Sequence, residues 1–137
     1  MLDRVDKRLM RRGTMYGLKL FEAEYKFMEI IWEHAPVNST RLAQLCAEIL
    51  GWKKSTTYTV LRKLCERGLL KNENATVTYL VEKEEIGIQE SKELLDKSFG
   101  GSLPMFLTTF LKGKPLSEQE AAELKKIIDD NRNGKGE

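Results

Sequence analysis

Between Trp52 and Val81 the hydrophobic period of the chain changes from that of a helix to that of a strand with only a few residues between, and few folds accept this. In "WKKSTTYTVLRKLCERGLL" the side chains Thr57, Val60, Leu61 and Leu64 gather on one side of a helix turning about 100° per residue. Gly68 stops that helix. The segments "LLKNE" and "TVTYLV" then alternate, with Val77, Tyr79 and Val81 on one face and Thr78 and Leu80 on the other. The cluster "NENAT" between them has the composition of a hairpin turn. A lone hairpin is marginal in water, so its apolar face must share a core with the preceding helix.

Two more helices come before this unit. In "LFEAEYKFMEIIWEH" the residues Tyr25, Met28, Ile31 and Trp32 share a face that Phe27 widens, and Pro36 ends the segment. Asn38 or Ser39 can cap a second helix whose apolar face is Leu42, Leu45, Cys46 and Ile49, closed by Gly51. Ser55 is the expected cap of the third, with Lys54 or Thr56 as alternative boundaries. The third helix begins on five consecutive hydroxyl side chains, Ser55 to Thr59, a poor start for an isolated helix.

Beyond the hairpin the pattern is helical again. One helix runs from Glu84 to about Ser98 and breaks at Gly100–Gly101. Ser102 caps a short one with Pro104 in its first turn. "SEQE" at Ser117–Glu120 reads as a capping box for a last helix carrying Ala121, Leu124, Ile127 and Ile128 on one side. The short helix is apolar nearly all round and has too little chain near it for cover. Pairing with a second copy would bury it, through Leu103, Phe106, Leu107, Phe110, Leu124 and Ile128. The expected fold is therefore mainly α: a winged helix-turn-helix (three helices plus a two-stranded hairpin wing) followed by an α-helical dimerisation region. The expected division is a flexible basic tail over 1–18, the winged-helix domain over 19–82, the helical dimerisation region over 83–130 and a second flexible tail over 131–137. Met15 is an alternative start of translation, because organised sequence begins just after it.

Charge is divided along the chain. Residues 51–71 carry six bases and one acid, a net of +5, whereas residues 82–130 carry seven bases and eleven acids, a net of −4. The basic middle should meet something anionic. Opposite its core side the third helix presents Ser55, Tyr58, Thr59, Arg62, Lys63 and Glu66. Hydroxyls bond phosphates or base edges, and a threonine methyl can touch a thymine methyl. Arg62 suits a guanine edge or a phosphate. Lys53 and Lys54, beside Thr56, sit where the helix N-terminus already favours phosphate. Lys71 and Thr76 on the hairpin are candidate backbone contacts. With about five phosphates met per protomer, a dimer's log affinity would fall against log salt with a slope of roughly −9.

Catalysis is not expected. The single histidine, His34, ends the first helix, and Cys46 and Cys65 lie in helical patterns without metal-ligand spacing. Neither a serine nucleophile motif nor a phosphate loop occurs, so no catalytic residue, metal or cofactor is assigned. Apolar runs fall short of the roughly 18 residues that span a membrane, and no secretory signal is visible, so no membrane insertion and a cytoplasmic location are expected. Rival readings are a small-molecule-sensing winged-helix regulator and a winged-helix protein-interaction module.

The residues "EAEYKFMEIIW", "WKKSTTYTVLRKL", "ERGLL" and "SFGGS" resemble the penicillinase-repressor (BlaI/MecI/CopY) family of bacterial transcriptional regulators over about residues 20–130. The family's Glu, Met and Trp fall at Glu24, Met28 and Trp32. Its Trp, hydroxyl pairs and Leu fall at Trp52, Thr56–Thr57, Tyr58–Thr59 and Leu61. The resemblance implies a cytoplasmic homodimeric repressor on a palindromic double-stranded DNA operator. In the β-lactam-responsive members it also implies a membrane-bound sensor protease and cleavage of an Asn–Phe bond, where this chain has Thr109–Phe110. The copper-responsive branch has a C-terminal cysteine cluster, and this chain has no cysteine after Cys65. Lys63 stands where the family often has Arg, which keeps charge and loses the bidentate fork.

Overall fold

The computed structural model describes residues 19–134, so the expected tail over 1–18 and the end of the C-terminal one lie outside it. The chain divides into two compact units, the first ending at Glu93 and the second beginning at Leu94.

The first unit holds α1 (Glu22–His34), β1 (Val37–Asn38), α2 (Ser39–Leu50), α3 (Lys54–Glu66), β2 (Leu70–Glu73), β3 (Thr76–Tyr79) and the start of α4 (Lys83–Phe99). This is the winged-helix order, with one addition. A two-residue strand, β1, pairs with β3, so the wing is a three-stranded antiparallel sheet in the order β1-β3-β2 rather than a bare hairpin. Two residues are too few for alternation to register.

One core serves all these elements. Phe27, Met28, Ile30 and Ile31 of α1 meet Leu42, Leu45 and Cys46 of α2, Thr57, Leu61 and Leu64 of α3, and Leu70 and Val77 of the sheet. Ile86 closes it from α4. Each such aliphatic side chain contributes about 1.5–3 kcal/mol by leaving water. Trp52 stacks on Phe27 with centroids 5.6 Å apart, and the Trp32 indole N–H donates to the Val81 carbonyl at 2.9 Å, tying α1 to the end of the wing.

Ile49 departs from the expected face. It lies in the last turn of α2, is 57% exposed, and borders an open groove of 730 Å³ with Ile30, Trp32 and Leu50. The helical period is right there, but nothing in the first unit covers the end of α2.

The turn of the wing is tight. Glu73 and Thr76 pair across a two-residue loop in which Asn74 and Ala75 have φ of 52° and 65°. Positive φ at both positions is the hairpin turn whose twist matches that of the strands. The Ser39 N–H donates to the Ala75 carbonyl at 2.8 Å, so the turn is fastened to the start of α2.

The second unit contains the end of α4, then α5 (Leu103–Phe110), a short 3-10 turn (Leu111–Gly113) and α6 (Glu118–Arg132). Ser102 caps α5 by accepting from the Met105 N–H, and Ser117 caps α6 by accepting from the Glu120 N–H, each at 3.0 Å. Phe99, Phe106 and Phe110 form a ring cluster with centroid separations of 5.3 and 5.7 Å. No residue of α5 or α6 is fully buried.

Candidate nucleic-acid interface

The α3 helix is held by its back. Thr57, Leu61 and Leu64 are buried, Val60 packs against the core, and the front carries Ser55, Thr56, Arg62 and Lys63, all exposed. Lys53 and Lys54 are exposed at its start. Tyr58 and Thr59 are half-buried, and the Tyr58 ring packs against the core, which leaves only part of that side chain at the surface.

The start of α3 differs from the expectation. Its N-cap is Lys53, in extended backbone, and Ser55 lies within the first turn instead of capping it. No side chain accepts from the first-turn amides. In α2, α5 and α6 the side chains of Asn38, Ser102 and Ser117 do so. At the starts of α1 and α4, glutamates accept from the amides of Phe21 and Glu82. Those two amides precede the first turn, so α1 leaves its first-turn amides as open as α3 does; what sets α3 apart is the pair of lysines beside them. Its free N–H donors, the positive end of the helix dipole and two lysines converge there, an arrangement suited to an anion such as phosphate.

The other end of α3 is anchored. Arg67, its C-cap, sends Nη1 to Glu24 Oε1 at 3.3 Å and Nη2 to the Lys19 carbonyl. Glu24 Oε1 also accepts from the Phe21 N–H at 3.0 Å. The Arg67 and Glu24 side chains are largely sheltered, and their ion pair joins α3 to α1. Sequence reasoning missed Arg67, because its partners are 43 and 48 residues away and no periodicity links them.

On the wing, Thr76 is exposed beside the turn, and Lys71 is half-buried with its ammonium 3.2 Å from Glu73. A phosphate would therefore compete with Glu73 for Lys71. In the second unit Leu103, Phe110 and Ile128 are exposed, while Phe106, Leu107 and Leu124 are half-buried. Met105 and Ile127, not among the expected seam residues, are equally exposed. Thr109 is at the surface and Phe110 is 60% exposed.

The thiols take no part in the α3 face. Burial pushes the Cys46 thiol up, partly countered by its hydrogen bond with Thr57, and burial together with the Glu66 charge pushes Cys65 up. Among the described residues no cluster of three metal-ligating side chains occurs, and no helix is long and apolar enough to cross a membrane.

Comparison with known proteins agrees with this architecture. The penicillinase repressor family matches residues 20–130. The chain is similar to the penicillinase repressor of Bacillus licheniformis, 27% identical over 123 residues that cover 87% of this chain and 96% of that protein. It is similar also to the methicillin resistance regulatory protein MecI of Staphylococcus aureus, 26% identical over 114 residues, covering 80% and 93%. A penicillinase repressor of Staphylococcus aureus is 25% identical over 115 residues, covering 79% and 89%.

Proposed function

The chain belongs to the penicillinase repressor family, made of transcriptional repressors and not of enzymes, and from that premise we propose that it represses transcription as a homodimer on a palindromic operator. The α3 helix enters the major groove of each half-site and the wing meets the flanking backbone. The observation that carries this reading is the start of α3, where free first-turn amides, Lys53 and Lys54 lie beside exposed Ser55 and Thr56. Thr59 and Arg62 follow on the side of base edges, Lys63 meets phosphate, and Lys71 and Thr76 serve the wing.

In this reading residues 19–82 bind DNA and residues 83–130 dimerise. Exposed Leu103, Phe110 and Ile128 support the second role, because apolar side chains left uncovered in one copy are what a second copy buries. Induction by a membrane-bound sensor protease would cut Thr109–Phe110 and separate the two roles. Its signature is a cellular fragment ending at Thr109, and derepression with only intact protein present would refute it.

The test is selection from a randomised duplex pool. Two inverted half-sites should be enriched, and Arg62→Ala should weaken binding to the enriched sequence by about 1–3 kcal/mol while changing mixed-sequence binding much less. No enrichment, together with unchanged binding by Arg62→Ala, would refute the DNA reading. For the dimer, Phe110→Asp should halve the mass seen by light scattering, since the charge costs little in one copy and much at an apolar seam. An unchanged mass removes α5 from the interface.

A further inference from the structure

We propose that Glu66 reads a cytosine: its carboxylate accepts from the N4 amino group on the floor of the major groove, one turn along α3 from the base edge that suits Arg62; this rests on the reading of α3 as the DNA-binding helix. Glu66 is the single acid among six bases over residues 51–71, and it is exposed. An acid there repels phosphate, so only its place on the helix can give it a part in binding.

That place is the crest of α3. At about 100° per residue the buried Thr57, Leu61 and Leu64 and the half-buried Val60 centre on one side. Ser55, Thr59, Arg62 and Glu66 fall within roughly 60° of one another on the opposite side, a stripe at steps of four, three and four residues. Thr56 and Lys63 flank the stripe on one side and Tyr58 on the other. A helix seated in a groove about 12 Å wide turns its crest to the base edges and its flanks to the two backbones. Glu66 then faces the floor, where the hydrogen-bond donors are the amino groups of cytosine and adenine. Adenine presents its amino group beside the N7 acceptor, which a carboxylate cannot satisfy, so cytosine is the better match. About 6 Å of helix rise separates Arg62 from Glu66, which puts the two bases within roughly two steps of each other.

Helix stability does not favour an acid at this position. Glu66 is the last residue of α3, at the negative end of the helix dipole, where a carboxylate is unfavourable. Set against Arg62 four residues before it, the acid follows the base, the weaker of the two orders along a helix.

The experiment runs the selection from a randomised duplex pool with the full chain, Glu66→Gln, Glu66→Ala and Arg62→Ala, and reads base frequencies by sequencing. The full chain should enrich cytosine at one position per half-site, within about two pairs of the position lost in Arg62→Ala. Glutamine bonds adenine N6 and N7 together, so Glu66→Gln should enrich adenine there instead. Glu66→Ala should enrich no base at that position and keep the others. In anisotropy titrations, replacing that cytosine should weaken the full chain about five- to tenfold per half-site and Glu66→Ala less than about twofold. Urea midpoints should not fall in either Glu66 variant, because each removes a carboxylate from the negative end of the helix. Unchanged base frequencies in both variants, while Arg62→Ala loses its own position, overturn the assignment and leave the α3 reading intact. Tighter binding to every duplex with all preferences kept also overturns it, leaving Glu66 as charge alone. A lowered urea midpoint with all preferences kept overturns it by assigning Glu66 to the fold. If the full chain enriches no sequence and Arg62→Ala binds as the full chain does, the α3 reading fails and the assignment of Glu66 falls with it.

Discussion

Lys53 should be a position where stability and DNA binding pull in opposite directions. It occupies the N-cap of α3 with φ −71° and ψ 154°, the backbone geometry from which a short polar side chain reaches back to the first-turn amides. Lysine cannot accept such a bond, and its charge sits at the positive end of the helix dipole. Lys53→Ser should add a cap worth about 1 kcal/mol. Lys53→Asp should add the same cap plus about 0.3–1 kcal/mol from the dipole. For a unit of this size each kcal/mol raises the melting temperature by about 4–8 °C. The assay is urea unfolding followed by tryptophan fluorescence, because Trp32 and Trp52, the only tryptophans, both belong to the first unit. The midpoint should rise at constant slope. DNA binding should move the other way. A dimer losing one phosphate contact per protomer shows a salt slope shallower by about two, and the aspartate repels the same phosphate. Failure of both variants to stabilise would mean that the amides at the start of α3 are already satisfied. An Lys53→Asp protein that is more stable yet binds duplex undiminished would show that this end of the helix does not meet phosphate.

Two further outcomes are expected. Ala75 has φ 65° in the wing turn, where an L side chain costs about 1–2 kcal/mol; Ala75→Gly should recover about 0.5–1 kcal/mol after the added freedom of the unfolded chain is subtracted. The same change at exposed Ala47 in α2 should instead cost about 1 kcal/mol, and equal losses at the two sites in urea titration would refute the turn geometry. The raised Cys46 and Cys65 thiols bear on stability against pH. A thiol whose folded pKa exceeds its unfolded one keeps its proton longer when folded, so its contribution is full below the unfolded value, about 8.5, and is lost as pH rises through the folded one. Urea midpoints should be level from pH 7 to about 8 and fall above about 8.5, less so in a Cys46→Ala, Cys65→Ala protein. A fall of the same size without the two thiols would assign it to other groups.

Much of this was legible because burial imposes period. Leu61 and Leu64 fall on the inner face of α3, and Val77 and Val81 on the inner face of the wing, as their spacing requires. The helix stops at Gly51 and Gly100–Gly101 were legible for a local reason, since all three have positive φ. What could not be read depends on distant parts of the chain. β1 is two residues long and is defined only by its pairing with β3. Ile49 has the right period but no element above it. The Arg67–Glu24–Lys19 anchor joins residues more than forty positions apart. The misjudged cap at Ser55 is more informative. Local preference favours a hydroxyl cap, and the chain holds its hydroxyls two or more positions too late to act as one.

That misplacement explains why a helix should begin on lysines and hydroxyls. An uncapped start forgoes about 0.5–2 kcal/mol, and the five β-branched, aromatic or short polar residues from Ser55 to Thr59 add little intrinsic helix stability. Burial of Leu61 and Leu64 alone returns about 3–6 kcal/mol, and the Arg67 anchor fixes the far end. The helix therefore forms through what it packs against rather than through its own first turn. Capping that turn internally would spend the donors that an anion can use, so under the proposed function leaving it open would trade a modest amount of stability for a place where backbone, dipole and two lysines could act on one phosphate. On the proposed reading, Ser55 and Thr56 would then lie flush with the duplex, because neither is occupied in capping.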